Sequence, residues 1–175
     1  MSKGKVFLDF DGTLANSIKA ICHAFSVIDG VKYDHSLVNT WNFHNVIPHA
    51  NDRSVESMFN SHLFWDNLEL YKGVKEFVEE YKDRIVMCSL GSIENQTKKI
   101  PYIHKHIGRV DMLPIITNMT TNPKTLDKTF IRMNENDVYV EDSSSHLNLS
   151  TAGLNILFSD RGFIVTGKQI GRAHV

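Results

Sequence analysis

Short apolar runs recur along the chain, and each of them ends near polar or small residues. These runs occupy residues 6–9, 85–88, 113–116, 138–140 and 156–158. Apolar runs of this length without a polar alternation are typical of parallel strands that are covered on both faces. The pattern therefore predicts five buried strands, the first of which starts almost at the amino terminus.

Apolar residues at helical spacing lie between several of these runs. They flank the second run on both sides: Val74, Phe77, Val78, Tyr81, Ile100, Ile103 and Ile107. Pro101 predicts a break or a helix start within the later group. Strands that alternate with helices predict an α/β fold, a Rossmann-like doubly wound parallel sheet. In such a sheet the functional site lies beyond the carboxyl ends of the strands.

The interval from Leu14 to Lys72 breaks the alternation, because it contains no convincing strand. Residues 16–28 have the pattern of a helix. Asp52 is a candidate N-cap of another helix, in which Val55 and Phe59 share one face. We interpret residues 15–72 as a small helical cap inserted after the first strand. Residues 1–14 and 73–169 then form the core domain.

Length and composition limit the classes of partner. The 175 residues suit one domain with a small insertion, with 42% hydrophobic and 22% charged residues. A formal charge of −1 gives no electrostatic argument for a nucleic acid polymer or a membrane as partner. Cys22 and Cys88 lie far apart, outside any metal-binding spacing, and no secretory signal is recognisable. We expect two reduced thiols in a cytoplasmic protein.

The segment DFDGTL, residues 9–14, carries the most specific chemistry and follows the first predicted strand. Asp9 and Asp11, in a turn opened by Gly12, can converge on one cation and one phosphate. Mg2+ prefers hard oxygen ligands, and a carboxylate can also attack phosphorus to form an aspartyl-phosphate. The alternative is an acidic turn with no function, which is a common end for a strand.

Three further features follow in chain order. Ser89, at the end of the second strand, can bind a phosphate oxygen together with the backbone N–H groups of Leu90 and Gly91. A lysine precedes the fourth strand, and either Lys124 or Lys128 could neutralise phosphate charge. That strand ends in an acidic pair, Glu141 and Asp142. Buried acidic pairs are costly without a cation, which makes Asp142 a candidate metal ligand.

The order of these four features resembles the haloacid dehalogenase (HAD) superfamily, whose motifs run DxDG[TV], Ser/Thr, Lys and an acidic pair. The resemblance spans residues 6–158 and implies Mg2+ and a two-step phosphoryl transfer. It implies that Asp9 is the nucleophile and Asp11 the general acid and base. It also implies that Mg2+ is held by Asp9, the Asp11 backbone carbonyl and Asp142. Ser89, Leu90 and the lysine would bind the phosphate.

Within that superfamily the chain is most similar to the 5'(3')-deoxyribonucleotidases of cytosolic and phage type. Residues 64–68, FWDNL, followed by Gly73, resemble the aromatic exit of that family's cap, although Tyr71 and Lys72 replace its Pro-Gly approach. The DKT sequence at residues 127–129 resembles that family's lysine motif, which favours Lys128 over Lys124. Two departures are Glu141, where that family often has Asp, and the longer interval from Lys128 to Glu141.

Four aromatic residues of the cap are candidates to stack on a nucleobase: Trp41, Phe43, Phe64 and Trp65. Base–aromatic stacking contributes roughly 1–3 kcal/mol per base. The alternative is that they form the core of the cap, since a small helical unit needs one.

The sequence thus favours a phosphatase acting on a small phosphate ester, with a deoxynucleoside monophosphate as the leading substrate. A sugar phosphatase is the second hypothesis, and a phosphomutase is the third because it uses the same aspartyl-phosphate. A phosphate-binding protein without activity is disfavoured by the presence of both Asp9 and Asp11.

The last six residues, IGRAHV at 170–175, are compatible with translation of a widely used sequencing adapter. We therefore expect this tail to be non-native. Finding the same six codons in uninterrupted genomic DNA would contradict that expectation.

Overall fold

The computed structural model describes residues 4–39, 41–116, 128, 131–159 and 162–166. Lys124 and the tail at 170–175 lie outside these ranges, so the expectations about them stay predictions. No helix in these ranges combines the length and the apolarity that crossing a bilayer requires.

One six-stranded sheet forms the centre of the molecule, in the order β3-β2-β1-β4-β5-β6. The strands are β1 (Val6–Leu8), β2 (Ile85–Gly91), β3 (Asp111–Ile116), β4 (Val138–Glu141), β5 (Leu154–Ser159) and β6 (Gly162–Thr166). The first five strands are parallel to one another, and β6 is antiparallel to β5. All five predicted strands are confirmed, whereas β6 was not predicted.

Within the described ranges, six α-helices accompany the sheet. They are α1 (Ser17–Asp29), α2 (Asp52–Phe59), α3 (His62–Asn67), α4 (Val74–Tyr81), α5 (Ile93–His106) and α6 (Ser144–Asn148). Two short 3-10 turns lie between α1 and α2, at His35–Leu37 and Phe43–Asn45. The prediction of a helical insertion after β1 is confirmed, since the described residues between β1 and α4 form only helices, turns and isolated bridges. The bounds of this insertion as a cap, residues 15–72, stay a prediction.

Alternate side chains of the central strands enter two hydrophobic clusters, one on each face of the sheet. Leu8 and Met87 belong to the cluster that also contains Val78 of α4 and Ile103 of α5. Phe7, Val86 and Cys88 belong to the other cluster, with Leu147 of α6. Burial of both faces explains why the strands are continuously apolar.

Two local predictions are wrong. Pro101 lies inside α5 rather than at a break or a start. A proline lacks the N–H for one helical bond, but the helix is anchored on both sides by buried residues, Lys99 and Ile103. The N-cap of α2 is Asn51 and not Asp52, because Asn51 and Ser54 form a reciprocal capping box. The Asn51 side chain accepts a hydrogen bond from the Ser54 N–H at 3.0 Å, and the Ser54 hydroxyl accepts one from the Asn51 N–H at 2.9 Å.

The predicted cap, residues 15–72, is connected to the flanking chain through two adjacent segments. The Asn16 N–H donates to the Glu69 carbonyl at 2.8 Å, and the Tyr71 N–H donates to the Leu14 carbonyl at 2.9 Å. The two connections therefore lie side by side, close to the carboxyl end of β1.

Candidate active site

The strand order reverses at β1, since β2 and β3 lie on one side of it and β4 and β5 on the other, and this topology places a crevice at the carboxyl ends of β1 and β4. In open α/β sheets such a change of direction is where ligands bind. Leu8 is level with Val140, and the Asp9 N–H continues the pairing by donating to the Val140 carbonyl at 3.0 Å. Asp9 after β1 is therefore level with the acidic end of β4.

Three carboxylates meet at this crevice. Asp9, Glu141 and Asp142 each offer an oxygen, and these oxygens lie within 4.8 Å of one another. Asp9 and Glu141 are buried, and Asp142 is half-buried. The structure thus brings together two of the predicted metal ligands, Asp9 and Asp142. The third member of the cluster is Glu141, while the Asp11 carboxylate faces different partners.

Lys128 is the counter-charge of this cluster. Its Nζ atom donates to Asp9 Oδ1 and to Glu141 Oε2, both at 2.6 Å, and the residue is buried. Glu141 also accepts a bond from the Tyr139 hydroxyl, and its Oε1 lies 3.4 Å from His146 Nδ1. The structure places Lys128, the residue preferred from the sequence, inside the crevice. Its contact with phosphate stays a prediction.

The pKa values of the three carboxyl groups are shifted in different directions. Burial, with the nearby Glu141 charge, raises the pKa of Asp9 to about 7 against the opposing effect of Lys128. Burial likewise raises the pKa of Asp142 well above its usual range, and Asp9 and Glu141 add to the shift. Burial would also raise the pKa of Glu141, but Lys128 and His146 outweigh it and lower the value to about 2.

The residues present fit a divalent cation. Three carboxylates cluster here, and Lys128 binds two of them, Asp9 and Glu141. Burial alone would lower the pKa of Lys128, but these two carboxylates raise that pKa above its ordinary value. A cation beside Asp9 and Asp142 would favour their ionised forms. Hard oxygen ligands of this kind suit Mg2+.

Asp11 lies on the other side of the crevice, where both of its oxygens accept hydrogen bonds. The Ser17 hydroxyl donates to Oδ1 at 2.6 Å, and the Lys99 ammonium donates to Oδ2 at 2.5 Å. Ser17 is the first residue of α1, so one of these donors belongs to the cap. The carboxylate that the family resemblance assigns to proton transfer is thus held from two directions.

Lys99 is the principal site residue that sequence reasoning missed. It is fully buried, and its Nζ atom also donates to Ser89 Oγ and to the Leu90 carbonyl, both at 2.8 Å. The signal was its position in α5, four residues before the buried Ile103 and therefore on the same face. A lysine on the buried face of a helix needs a partner.

Ser89 and Leu90 lie within β2, because this strand continues to Gly91, beyond the end predicted at Cys88. Ser89 is buried and reaches the crevice beside Lys99. The predicted contact of the Leu90 N–H with phosphate stays a prediction.

The four aromatic candidates of the cap differ in exposure. Phe43 and Phe64 are 2% and 0% exposed, so neither offers a ring face to a substrate in this conformation. This burial favours the alternative for both, the core of the cap. Trp41 and Trp65 are half-buried, and the Trp65 N–H donates to the Phe59 carbonyl at 2.8 Å.

No protein-family model and no curated protein matches the sequence. Solved structures do match. A hydrolase from Streptococcus pneumoniae TIGR4 is 12% identical with a TM-score of 0.50, over 91% of this chain and 94% of that chain. A HAD-superfamily hydrolase, subfamily IA, variant 1, from Geobacter sulfurreducens PCA is 16% identical with a TM-score of 0.48, over 85% and 81%. A haloacid dehalogenase-like family hydrolase from Xanthomonas campestris is 14% identical with a TM-score of 0.47, over 89% and 81%.

At these identities the similarity concerns the fold. The predicted fold class, a Rossmann-like doubly wound parallel sheet, is confirmed by the five parallel strands and the helices that flank them.

Proposed function

We propose that this chain is a Mg2+-dependent phosphohydrolase that forms an aspartyl-phosphate on Asp9. One observation carries the proposal. Asp9 lies at the crevice between β1 and β4, bound to Lys128 at 2.6 Å and clustered with the carboxylates of Glu141 and Asp142. A buried, tightly placed carboxylate beside a cation site is what an attack on phosphorus requires.

In the first step, an Asp9 oxygen forms a bond to phosphorus while the bond from phosphorus to the ester oxygen breaks. Lys128 binds Oδ1, so Oδ2 is the oxygen that this lysine does not engage. Asp11 donates a proton to the departing oxygen, and the product alcohol leaves.

In the second step, Asp11 accepts a proton from water, and the water oxygen bonds to phosphorus. The bond from phosphorus to the Asp9 oxygen then breaks, which releases inorganic phosphate and restores the Asp9 carboxylate. Ser17 and Lys99 hold Asp11 in one orientation, and the Lys99 ammonium favours the ionised carboxylate that the second step requires.

Asp9, Asp142 and the Asp11 backbone carbonyl would hold Mg2+. When bound, the ion supplies positive charge that neutralises the phosphate and polarises its oxygens. Ser89, Leu90 and Lys128 would bind phosphate oxygens, and Lys99 adds a second buried ammonium next to Ser89.

We propose a deoxynucleoside monophosphate as the substrate, with residues 15–72 as a cap domain over the core at 1–14 and 73–169. The DKT and FWDNL resemblances support the nucleotide. A sugar phosphate is the second candidate, and the burial of Phe43 and Phe64 favours it because fewer rings remain for a base. The buried free thiols of Cys22 and Cys88 support a cytoplasmic location.

A panel of phosphate esters tests the proposal by measuring phosphate release. It contains the deoxynucleoside monophosphates, several sugar phosphates and p-nitrophenyl phosphate, each with Mg2+ and with a chelator. We expect release with Mg2+, loss of release on chelation, and preference for nucleotides. A preference for sugar phosphates would select the second candidate. Absence of release from every ester by the folded protein would contradict the phosphohydrolase itself.

A further inference from the structure

Trp41 of the cap makes a direct hydrogen bond to the candidate metal site. Its Nε1–H donates to Asp142 Oδ2 at 2.6 Å, across 101 positions of sequence. Asp142 is half-buried and its neighbours Asp9 and Glu141 are both acidic, so a single neutral donor from the cap is a substantial part of what holds this carboxylate.

The backbone at Trp41 is unusual. Its φ of 61° lies in the left-handed region, and no other non-glycine residue among the described ones has a positive φ. A bulky residue adopts this conformation at a cost, which surrounding contacts must offset. The offsetting contacts at Trp41 are its stacking on Phe59, with ring centres 6.0 Å apart, and its bond to Asp142.

Gly12 in the nucleophile's turn makes room for this pair. Its φ is +75°, and a side-chain carbon there would lie 2.1 Å from Asp142 Oδ2 and 3.1 Å from Trp41 Cζ2. The backbone of the DFDGTL turn, the metal-site carboxylate and the cap indole are thus packed directly against one another. The indole has no vacant donor for a substrate in this arrangement.

We propose that Trp41 is a positioning residue that orients Asp142 for Mg2+ and so couples the Trp41 contact to metal binding. The inference rests on the proposed function, because it needs the metal site. The bond engages Oδ2 of the carboxylate that joins Asp9 and Glu141 in the cluster, so it can fix the orientation of that carboxylate. Donors that orient a ligating carboxylate typically raise metal affinity by 10–100-fold. By linkage, bound Mg2+ stabilises the Trp41 contact to the same extent.

The chain offers a matched control, because it has two tryptophans and both are in the cap. The Trp65 N–H donates to a backbone carbonyl, that of Phe59, and not to the site. Trp41→Phe and Trp65→Phe each remove one N–H and keep an aromatic ring. Mg2+ affinity is measured by titration calorimetry without substrate, and the fold is checked by circular dichroism.

We expect Trp41→Phe to weaken Mg2+ binding by about 10–100-fold and Trp65→Phe to leave it within about twofold. Equal affinities of folded Trp41→Phe and wild type would overturn the inference while the metal site survives. A wild-type protein that binds no Mg2+ would overturn both the metal site and this inference.

The Trp65→Phe variant provides a second measurement that does not depend on the folding of Trp41→Phe. Trp41 is then the sole tryptophan, so its fluorescence reports the contact with Asp142. We expect a saturable change in emission with the same midpoint as the calorimetric titration, and no such change when Asp142→Asn is added. Constant emission at saturating Mg2+ would overturn the proposal.

Discussion

Two buried lysines serve the two aspartates of the DFDGTL turn, and their surroundings differ. Lys128 binds Asp9 and Glu141 in a cluster that also contains Asp142, so one ammonium faces three carboxylates. Lys99 binds Asp11, and its other partners, Ser89 and the Leu90 carbonyl, are neutral. We call these the Lys128 side and the Lys99 side of the crevice.

The difference shows where the site needs an additional charge. The Lys99 side is balanced, since one ammonium meets one carboxylate. The Lys128 side has an excess of negative charge, and the pKa of Asp9 is accordingly raised to about 7, chiefly by burial and Glu141. We therefore expect the proposed cation on the Lys128 side, beside the proposed nucleophile Asp9, and proton transfer by Asp11 on the balanced side.

Asp9→Asn should have the largest effect and abolish turnover, because the amide keeps the shape but cannot attack phosphorus. Asp11→Asn should slow the reaction by about 10²–10⁴-fold, the usual contribution of acid–base help. Phosphate release by purified proteins measures both. Measurable turnover by pure, folded Asp9→Asn, or a near-wild-type rate across pH for Asp11→Asn, would contradict the assigned roles.

Lys128→Met should reduce both activity and stability. It removes the ammonium that binds both Asp9 and Glu141, and leaving buried carboxylates without such a partner typically costs about 3–5 kcal/mol in the free energy of unfolding. The rate should fall by about 10²–10³-fold as well. Denaturant unfolding and phosphate release are the measurements, and Lys124→Met on the same segment is the control. A larger loss in Lys124→Met would move the lysine motif to that residue.

Lys99→Met should reduce activity with a smaller effect on stability than Lys128→Met. It removes the ammonium partner of one carboxylate, Asp11, rather than of two. We expect a decrease in kcat of about 10²-fold. Lys98→Met is the matched control, since Lys98 is adjacent but donates to the Asn60 carbonyl. If the two variants were equally active, the Lys99 side would have no part in the chemistry.

The charge imbalance also predicts how the metal-free protein responds to pH. The pKa of Asp9 rises from 3.8 to about 7 on folding, so the folded state holds the extra proton and stability falls as pH rises from 5 toward 7. We expect a fall on the order of 2 kcal/mol in the free energy of unfolding with a chelator present. Glu141 acts in the opposite direction, because its lowered pKa of about 2 contributes stability that is lost only below about pH 4.5.

Thermal or denaturant unfolding between pH 5 and pH 8 tests this window. Asp9→Asn should reduce the dependence, and the raised pKa of Asp142 should keep part of it. Saturating Mg2+ should oppose it, since the ion binds the ionised carboxylates. A metal-free protein that gains stability from pH 5 to pH 7 would contradict the excess of negative charge.

The smallest effect should come from the cap. If a base stacks on the half-buried Trp65, Trp65→Leu should lower kcat/KM for nucleotides by about tenfold or more, the equivalent of 1–3 kcal/mol. The rate with p-nitrophenyl phosphate should change little. Phe43→Leu, at a buried position, should lower stability without changing the ratio of the two activities. If a folded Trp65→Leu variant lost activity equally with nucleotides and with p-nitrophenyl phosphate, base stacking on Trp65 would be contradicted and only the proposal of a general phosphatase would remain.

Much of the fold was predictable because burial on both faces leaves continuous apolar runs, as in β1 and β2. An acidic turn is a common end for a strand, so the carboxylates at the strand ends were predictable as candidates only because four polar features follow the strands in the order of one known family. Lys99 was not predictable with the same confidence, because a lysine in a helix is usually solvated. Only packing of α5 against β2 shows that its ammonium enters the crevice.

The sequence by itself determined the order along the chain of the five parallel strands and the helices between them, the helical insertion after β1, and the identity of Asp9, Asp11 and Asp142 as candidates. These follow from local patterns, which are encoded within a few neighbouring residues. Tertiary structure decided which charges face each other: Lys128 with Asp9, Lys99 with Asp11, and Trp41 with Asp142. These pairs are separated by about 90 to 120 positions in the chain. Such contacts depend on strand order and helix packing, which no local pattern specifies.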